Sequence, residues 1–174
     1  GTAPRATAIV KTGAGSLTLS GSLLYDGNTT VNSGSLVLTG SAELDDSPAI
    51  AVNAGTLDVS GIGGVLNLGS LKAQTLSGAG TVNGAVTAIG SQPATIAPGA
   101  TLGTLTVSGA VTMAPNSVTI MELNRTNAPA TNDMLVAAAI TADGALTVTN
   151  LGPALQAGDT FKLFSVPVTG FTSV

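Results

Sequence analysis

The chain has 174 residues, of which only 14 are charged, and its formal net charge is −4; an ordinary soluble domain is roughly a quarter charged. Histidine, cysteine and tryptophan are absent. That excludes disulfide frameworks, thiol chemistry, Cys/His zinc sites and any nucleophile–histidine catalytic pair, and five basic residues do not build a phosphate-neutralising surface, so nucleic acid is not an expected partner.

Glycine (23), alanine (26), threonine (25) and serine (15) make up about half the sequence. The longest uninterrupted apolar run is the seven residues Met134 to Ile140, well short of the roughly 18 needed to cross a bilayer as a helix. The first residues lack a basic stretch leading into an apolar one, so no signal peptide is expected within this sequence. Disorder goes with low hydrophobicity and high net charge, and both are reversed here. The expectation is a folded, all-β chain.

Taken in order, the predicted strands follow a repeated unit of Gly, then Ser or Thr, then two apolar residues separated by one position. An apolar segment at Thr7 to Val10 precedes the first copy, Gly15 to Gly21 (GSLTLSG). The second and third copies sit inside VNSGSLVLTG (Val31 to Gly40) and VNAGTLDVSG (Val52 to Gly61), which share five of ten positions. A short copy starts at Gly80, a full one at Gly103 (GTLTVSG), and an altered one at Gly144 (GALTVTN). The last two starts are about twice as far apart as the others.

Alternation at Leu17/Leu19, Leu36/Leu38, Leu57/Val59 and Leu105/Val107 is strand periodicity, with every second side chain on one face. Glycines mark the bends. Units of about 20 residues carrying short strands predict a parallel β-solenoid, in which each rung buries its inward side chains on the rungs above and below. Division of the length by the period predicts eight or nine rungs. A β-sandwich is the alternative, because hairpin-type pairs occur at Asp26-Gly27, Asn83-Gly84 and Asp143-Gly144. The whole of 1–174 reads as a single unit, with repeat rungs over 1–75 and C-terminal rungs with a cap-like end over 76–174.

VKTGAGSLTLSG (Val10 to Gly21) followed by TTVNSGSLVLTG (Thr29 to Gly40) resembles the autotransporter-associated β-strand repeat, also called the passenger-associated transport repeat. LSGAGTVNG (Leu76 to Gly84), IAPGATLGTLTVSG (Ile96 to Gly109), SVTIMEL (Ser117 to Leu123), NDMLV (Asn132 to Val136) and AGDTFKLF (Ala157 to Phe164) extend the likeness in the expected order. It implies a right-handed parallel β-helix passenger, secreted or displayed at a bacterial surface. Members usually have an Asn-x-Tyr-x-Gly stretch where this chain reads Leu24-Tyr25-Asp26-Gly27. They also usually end in a membrane barrel or sorting signal; nothing after Val174 supplies one, so a fragment or processed product of a longer chain is expected.

No catalytic constellation emerges, and no catalytic, cofactor-binding or metal site is expected. Asp45-Asp46 with Glu43 is the one local acidic cluster; it reads as a polar turn in preference to a calcium site. Asp133 and Asp159 read as acceptors for turn amides, and Lys11, Lys72 and Lys162 as isolated surface charges. Without histidine, no Ser or Thr has an activating base. The expectation is a non-enzymatic extracellular stalk or self-associating filament subunit. A glycan- or host-binding adhesin is the alternative, and a polysaccharide-degrading enzyme a more distant one. Two open strand edges invite pairing, which nominates Ala8, Ile9 and Val10 at one end and Phe161, Leu163, Phe164 and Phe171 at the other as candidate assembly edges. The expected partners are further copies of the chain, head to tail, or the rest of a longer parent.

Overall fold

The computed structural model describes residues 7–126 and 131–174. Among them every regular element is a β-strand, and the strands wind into a parallel β-solenoid rather than a sandwich. The first turn holds β1 (Ile9–Lys11) and β2 (Ser16–Ser20), the second β3 (Thr29–Val31) and β4 (Ser35–Thr39). From the third turn a further strand joins: β5 (Ala49–Val52), β6 (Thr56–Gly61) and β7 (Val65–Leu68). The fourth has β8 (Gln74–Gly78), β9 (Thr81–Asn83) and β10 (Ala85–Ala88), and the fifth β11 (Ala94–Pro98), β12 (Thr104–Val107) and β13 (Ala110–Thr112). The sixth has β14 (Ser117–Asn124), a short return strand β15 (Thr131–Asn132), β16 (Met134–Val136) and β17 (Ala139–Thr141); β18 (Ala145–Asn150) begins a seventh.

Two sheets run the length of the rod and a third joins them from the third turn. The first stacks β1, β3, β5, β8, β11, β14 and β18, the second β2, β4, β6, β9, β12 and β16, and the third β7, β10, β13 and β17. Six complete turns result, fewer than the eight or nine expected. The early turns are short, with Ile9 opposite Thr29, but later ones are longer, with Ile50 opposite Leu76 and Val118 opposite Ala145. The residues after β18 form no regular strand and follow the winding only through isolated parallel bridges.

Register explains why the repeat has its composition. Leu17, Leu36, Leu57, Val82 and Val107 form one inward ladder, and Leu36, Leu57 and Val82 have no solvent exposure. Ile9, Thr29, Ile50, Leu76, Ile96, Thr119 and Leu146 form another in the first sheet. Each fully buried aliphatic side chain contributes about 1.5–3 kcal/mol through area removed from water.

The glycines that open the repeat units have a single structural role. Gly15, Gly34, Gly55, Gly80 and Gly103 all stand immediately before strands of the second sheet, and each carbonyl accepts an amide from the next turn: Ser35, Thr56, Thr81, Thr106 and Met134 respectively, at 2.8–3.2 Å. A side chain cannot fit at Gly34, where φ is 67° and an added Cβ would run into the carbonyls of Gly13 and Gly15. Gly144 is different, because it precedes a strand of the first sheet. The missing copy is β16, which Asp133 precedes in place of glycine, and this accounts for the doubled interval.

Lys11 is not the surface charge its sequence context predicts. It is buried, and its ammonium donates to the carbonyls of Thr12 (2.9 Å), Gly13 (2.7 Å) and Ser33 (3.0 Å). Lys72 is paired as well, with Asp46 at 3.3 Å. A polar chain also runs inside the first turns. The Tyr25 hydroxyl bonds Thr29 Oγ1 at 2.6 Å, which in turn bonds Ser47 Oγ at 2.9 Å. Buried Gln74 donates to the carbonyls of Leu44 (2.7 Å) and Ser47 (2.8 Å) and accepts from the amide of Gly69 (3.0 Å). That clamp holds the 41–48 loop, which occupies the second turn where no third-sheet strand forms.

The two ends differ. At the C-terminal end the chain continues the parallel winding over the last turn without forming a regular strand. Phe164 bridges to Leu135 and Ser173 to Ala145, Ser165 N donates to Leu135 O at 3.0 Å, and Leu146 N donates to Ser173 O at 2.9 Å. Leu163, Phe164, Val166, Val168 and Phe171 pack on the core, and the rings of Phe164 and Phe171 lie 5.8 Å apart. At the N-terminal end the inward Leu17 is 39% exposed, and Val10 and Leu24 are more exposed still.

Candidate functional site

The candidate assembly residues lie where the topology separates them most. Ile9 and Val10 are on β1, the first strand of its sheet, with Ala8 just before it; Ala8 and Val10 are exposed and Ile9 is half-buried. Phe161, Leu163, Phe164 and Phe171 are half-buried in the terminal segment, and the last three cover the core of the last turn.

The acidic residues are spread over several positions, and among the described residues no three of them gather into a group able to hold a metal ion. Asp45 lies in the 41–48 loop. Burial raises its pKa above the usual carboxylate range, Glu43 and Asp46 add to the rise, and a hydrogen bond from Ser70 opposes it. Asp58, on the outer face of β6, is held low by hydrogen bonds from the side chain and backbone amide of Ser60. Asp159 accepts from the amide of Gln156 at 2.8 Å and pairs with Arg125 at 2.9 Å.

Asp133 has the most specific role. Its side chain is buried; Oδ1 accepts from the amide of Gly103 at 2.9 Å and Oδ2 from the amide of Glu122 at 2.8 Å. One carboxylate thus ties the fifth turn to the sixth and closes the base of the hairpin formed by β14 and β15. Burial pushes the Asp133 carboxyl up and the two amides pull it down; the negative charge of Glu122 adds to the rise, leaving it above the usual range. Asp159 accepts a local turn amide as its sequence context suggests, whereas Asp133 accepts no turn amide and instead binds amides of two other stretches of the chain. The identity of the amides at Asp133 was not readable, since one lies thirty positions upstream on a different turn.

Beside this hairpin lies a depression of about 490 Å³. Its floor is the outer face of the first sheet, where Ala51, Ser77, Ala97 and Ile120 stand one above another in register. Its walls are the Pro98–Ala100 corner on one side and Glu122 and Asp133 on the other, with Asn53 at the far end of the ladder. The wall exists because β14 outruns its neighbour: β11 ends at Pro98, opposite Gly78, whereas β14 continues to Asn124 and turns back through β15. The floor is low because its side chains are small. Periodicity alone did not reveal this site, since outward positions of a solenoid carry no fixed pattern.

No helix of the described residues is long and apolar enough to cross a membrane. No curated protein and no solved structure matches the chain. Residues 9–42, which span the first two turns, match the family model described as passenger-associated-transport-repeat, and in that segment the chain is similar to autotransporter passenger repeats.

Proposed function

We propose that this chain is a non-enzymatic, rigid structural stalk within a passenger displayed at, or released from, a bacterial surface. The carrying observation is the unbroken inward register from Ile9 to Leu146 in the first sheet. A stack in which each rung is hydrogen-bonded to the next resists bending, and it sets a fixed distance between whatever lies at its two ends. Six rungs at about 4.8 Å correspond to about 30 Å of spacer. The passenger-repeat match in the first two turns supports the extracellular setting.

A fibre built from copies of the chain is the second reading, and the exposed apolar edge at Val10 and Leu17 favours it. In that reading Ala8, Ile9 and Val10 would meet Phe161, Leu163, Phe164 and Phe171 of the next copy. Against it, Leu163, Phe164 and Phe171 already pack on their own core, so a head-to-tail contact would have to displace them. Electron microscopy across a concentration series separates the two. Discrete short rods at every concentration are the expected result; long fibres with a regular axial repeat would replace the stalk with the fibre.

A further inference from the structure

We infer that the depression beside the β14–β15 hairpin is a binding site for a basic side chain, lysine or arginine, presented by a protein partner. The inference stands independently of the stalk reading. Insertions in a solenoid commonly mark its binding face, and this hairpin is an insertion that raises one wall of the site.

The polar lining decides the ligand class. Glu122 is half-buried, and among the described residues its carboxylate has no hydrogen-bond or ion-pair partner. Asn53 donates its amide group to Asn32 Oδ1 at 2.8 Å, which leaves its own Oδ1 as an acceptor. Each oxygen of Asp133 accepts one backbone amide and retains a second acceptor direction. The donors are few: the Ser77 hydroxyl and the second amide hydrogen of Asn53. A site that is mainly acceptors fits a ligand that is all donor, and ammonium and guanidinium groups are the side-chain groups of that kind. Sugars bring acceptors and donors in equal measure and would leave most of their own oxygens without partners here.

The floor agrees with that choice. Ala51, Ala97 and Ile120 offer a narrow apolar strip about the length of a lysine or arginine stem, which such side chains cover while their charged heads reach a polar rim. The charged residues that line the site, Glu122 and Asp133, are acidic, and Lys72, Arg125 and Lys11 engage other residues; exposed Lys162 meets the hairpin through its carbonyl, which accepts from Asn132.

The test uses the full chain and fluorescence anisotropy with a labelled hexalysine peptide and a labelled hexaarginine peptide, with a chitosan oligomer as a cation on a carbohydrate scaffold. Glu122→Gln is expected to weaken peptide binding about tenfold, the loss of one charge-assisted hydrogen bond. Asp58→Asn, which removes an equal charge from the opposite sheet, is expected to change it less than twofold. Circular dichroism melts establish that both variants fold. Equal weakening by the two variants would mean that overall charge attracts the peptide, and would overturn the site. Absence of peptide binding would overturn it too, and binding of chitosan in preference to both peptides would overturn the assignment to a protein partner.

Discussion

The ammonium of Lys11 crosses from the first turn to the second and donates to the carbonyl of Ser33 at 3.0 Å. The same nitrogen also satisfies the Thr12 and Gly13 carbonyls, so one side chain closes a corner that has no strand of its own. Lys11→Met keeps the aliphatic stem and removes the donor. It is expected to lower unfolding free energy by about 1–3 kcal/mol, because buried acceptors lose a charged partner. Urea unfolding followed by circular dichroism measures this, and an unchanged midpoint would contradict the capping role.

Leu17 and Leu36 face each other in one ladder yet occupy different environments, 39% and 0% exposed. Leu36→Ala should cost about 2–5 kcal/mol, as other buried leucine truncations do. Leu17→Ala should cost about 1 kcal/mol, since half its surface transfer is already forfeited. A cost at Leu17 equal to that at Leu36 would show that the first turn is covered in solution, which is the outcome a fibre requires.

Gln74 ties together three backbone groups of two loops, the Leu44 and Ser47 carbonyls and the Gly69 amide, beside the partly exposed Lys72–Asp46 pair that links the same loops. Gln74→Leu fills the same space but strands the Ser47 carbonyl and the Gly69 amide, while the Leu44 carbonyl keeps the Ser47 amide; the expected loss is about 2–3 kcal/mol. Hydrogen exchange should accelerate at Gly69 and Ser47 first. Uniform acceleration along the rod would argue instead for a global loss of stability with no local clamp.

For Asp133, the pKa is raised on folding by burial despite its two amide donors. A carboxyl with a raised folded pKa favours the native state most when protonated. Its contribution is therefore complete below the ordinary carboxyl value near 4 and declines as pH rises through the raised folded value. Asp133→Asn removes this titration, although it destabilises at every pH by turning a donor toward one of the amides. Urea midpoints for both proteins from acid to neutral pH should show the wild-type advantage shrinking as pH rises. An advantage that grows with pH would mean that the amide hydrogen bonds outweigh burial.

The parts of this fold visible in the sequence are those that repeat. Alternation at Leu36/Leu38 and Leu57/Val59 marks inward positions, and the glycines at 15, 34, 55, 80 and 103 mark one corner because every turn needs the same close carbonyl stack there. What does not repeat was hidden. The copy before β16 is invisible because Asp133 replaces its glycine, binding the corner through its side chain. Lys11 appears as a surface charge because nothing local shows that three carbonyls converge on it. The depression beside β14 depends on a strand overrunning its neighbour, a property of three-dimensional register, and Glu122 alone carries no signal of it.

The internal bond from Tyr25 to Thr29 gives the molecule an unplanned optical label. Tyr25 is the only tyrosine and tryptophan is absent, so intrinsic ultraviolet emission comes from the turns near the open end and from nowhere else. The phenylalanines lie at the opposite end, in 161–171. Quenching of tyrosine emission therefore times the loosening of one extremity, while amide circular dichroism averages over every rung. A lag between the two signals on gradual denaturation would read out fraying that advances inward from that extremity.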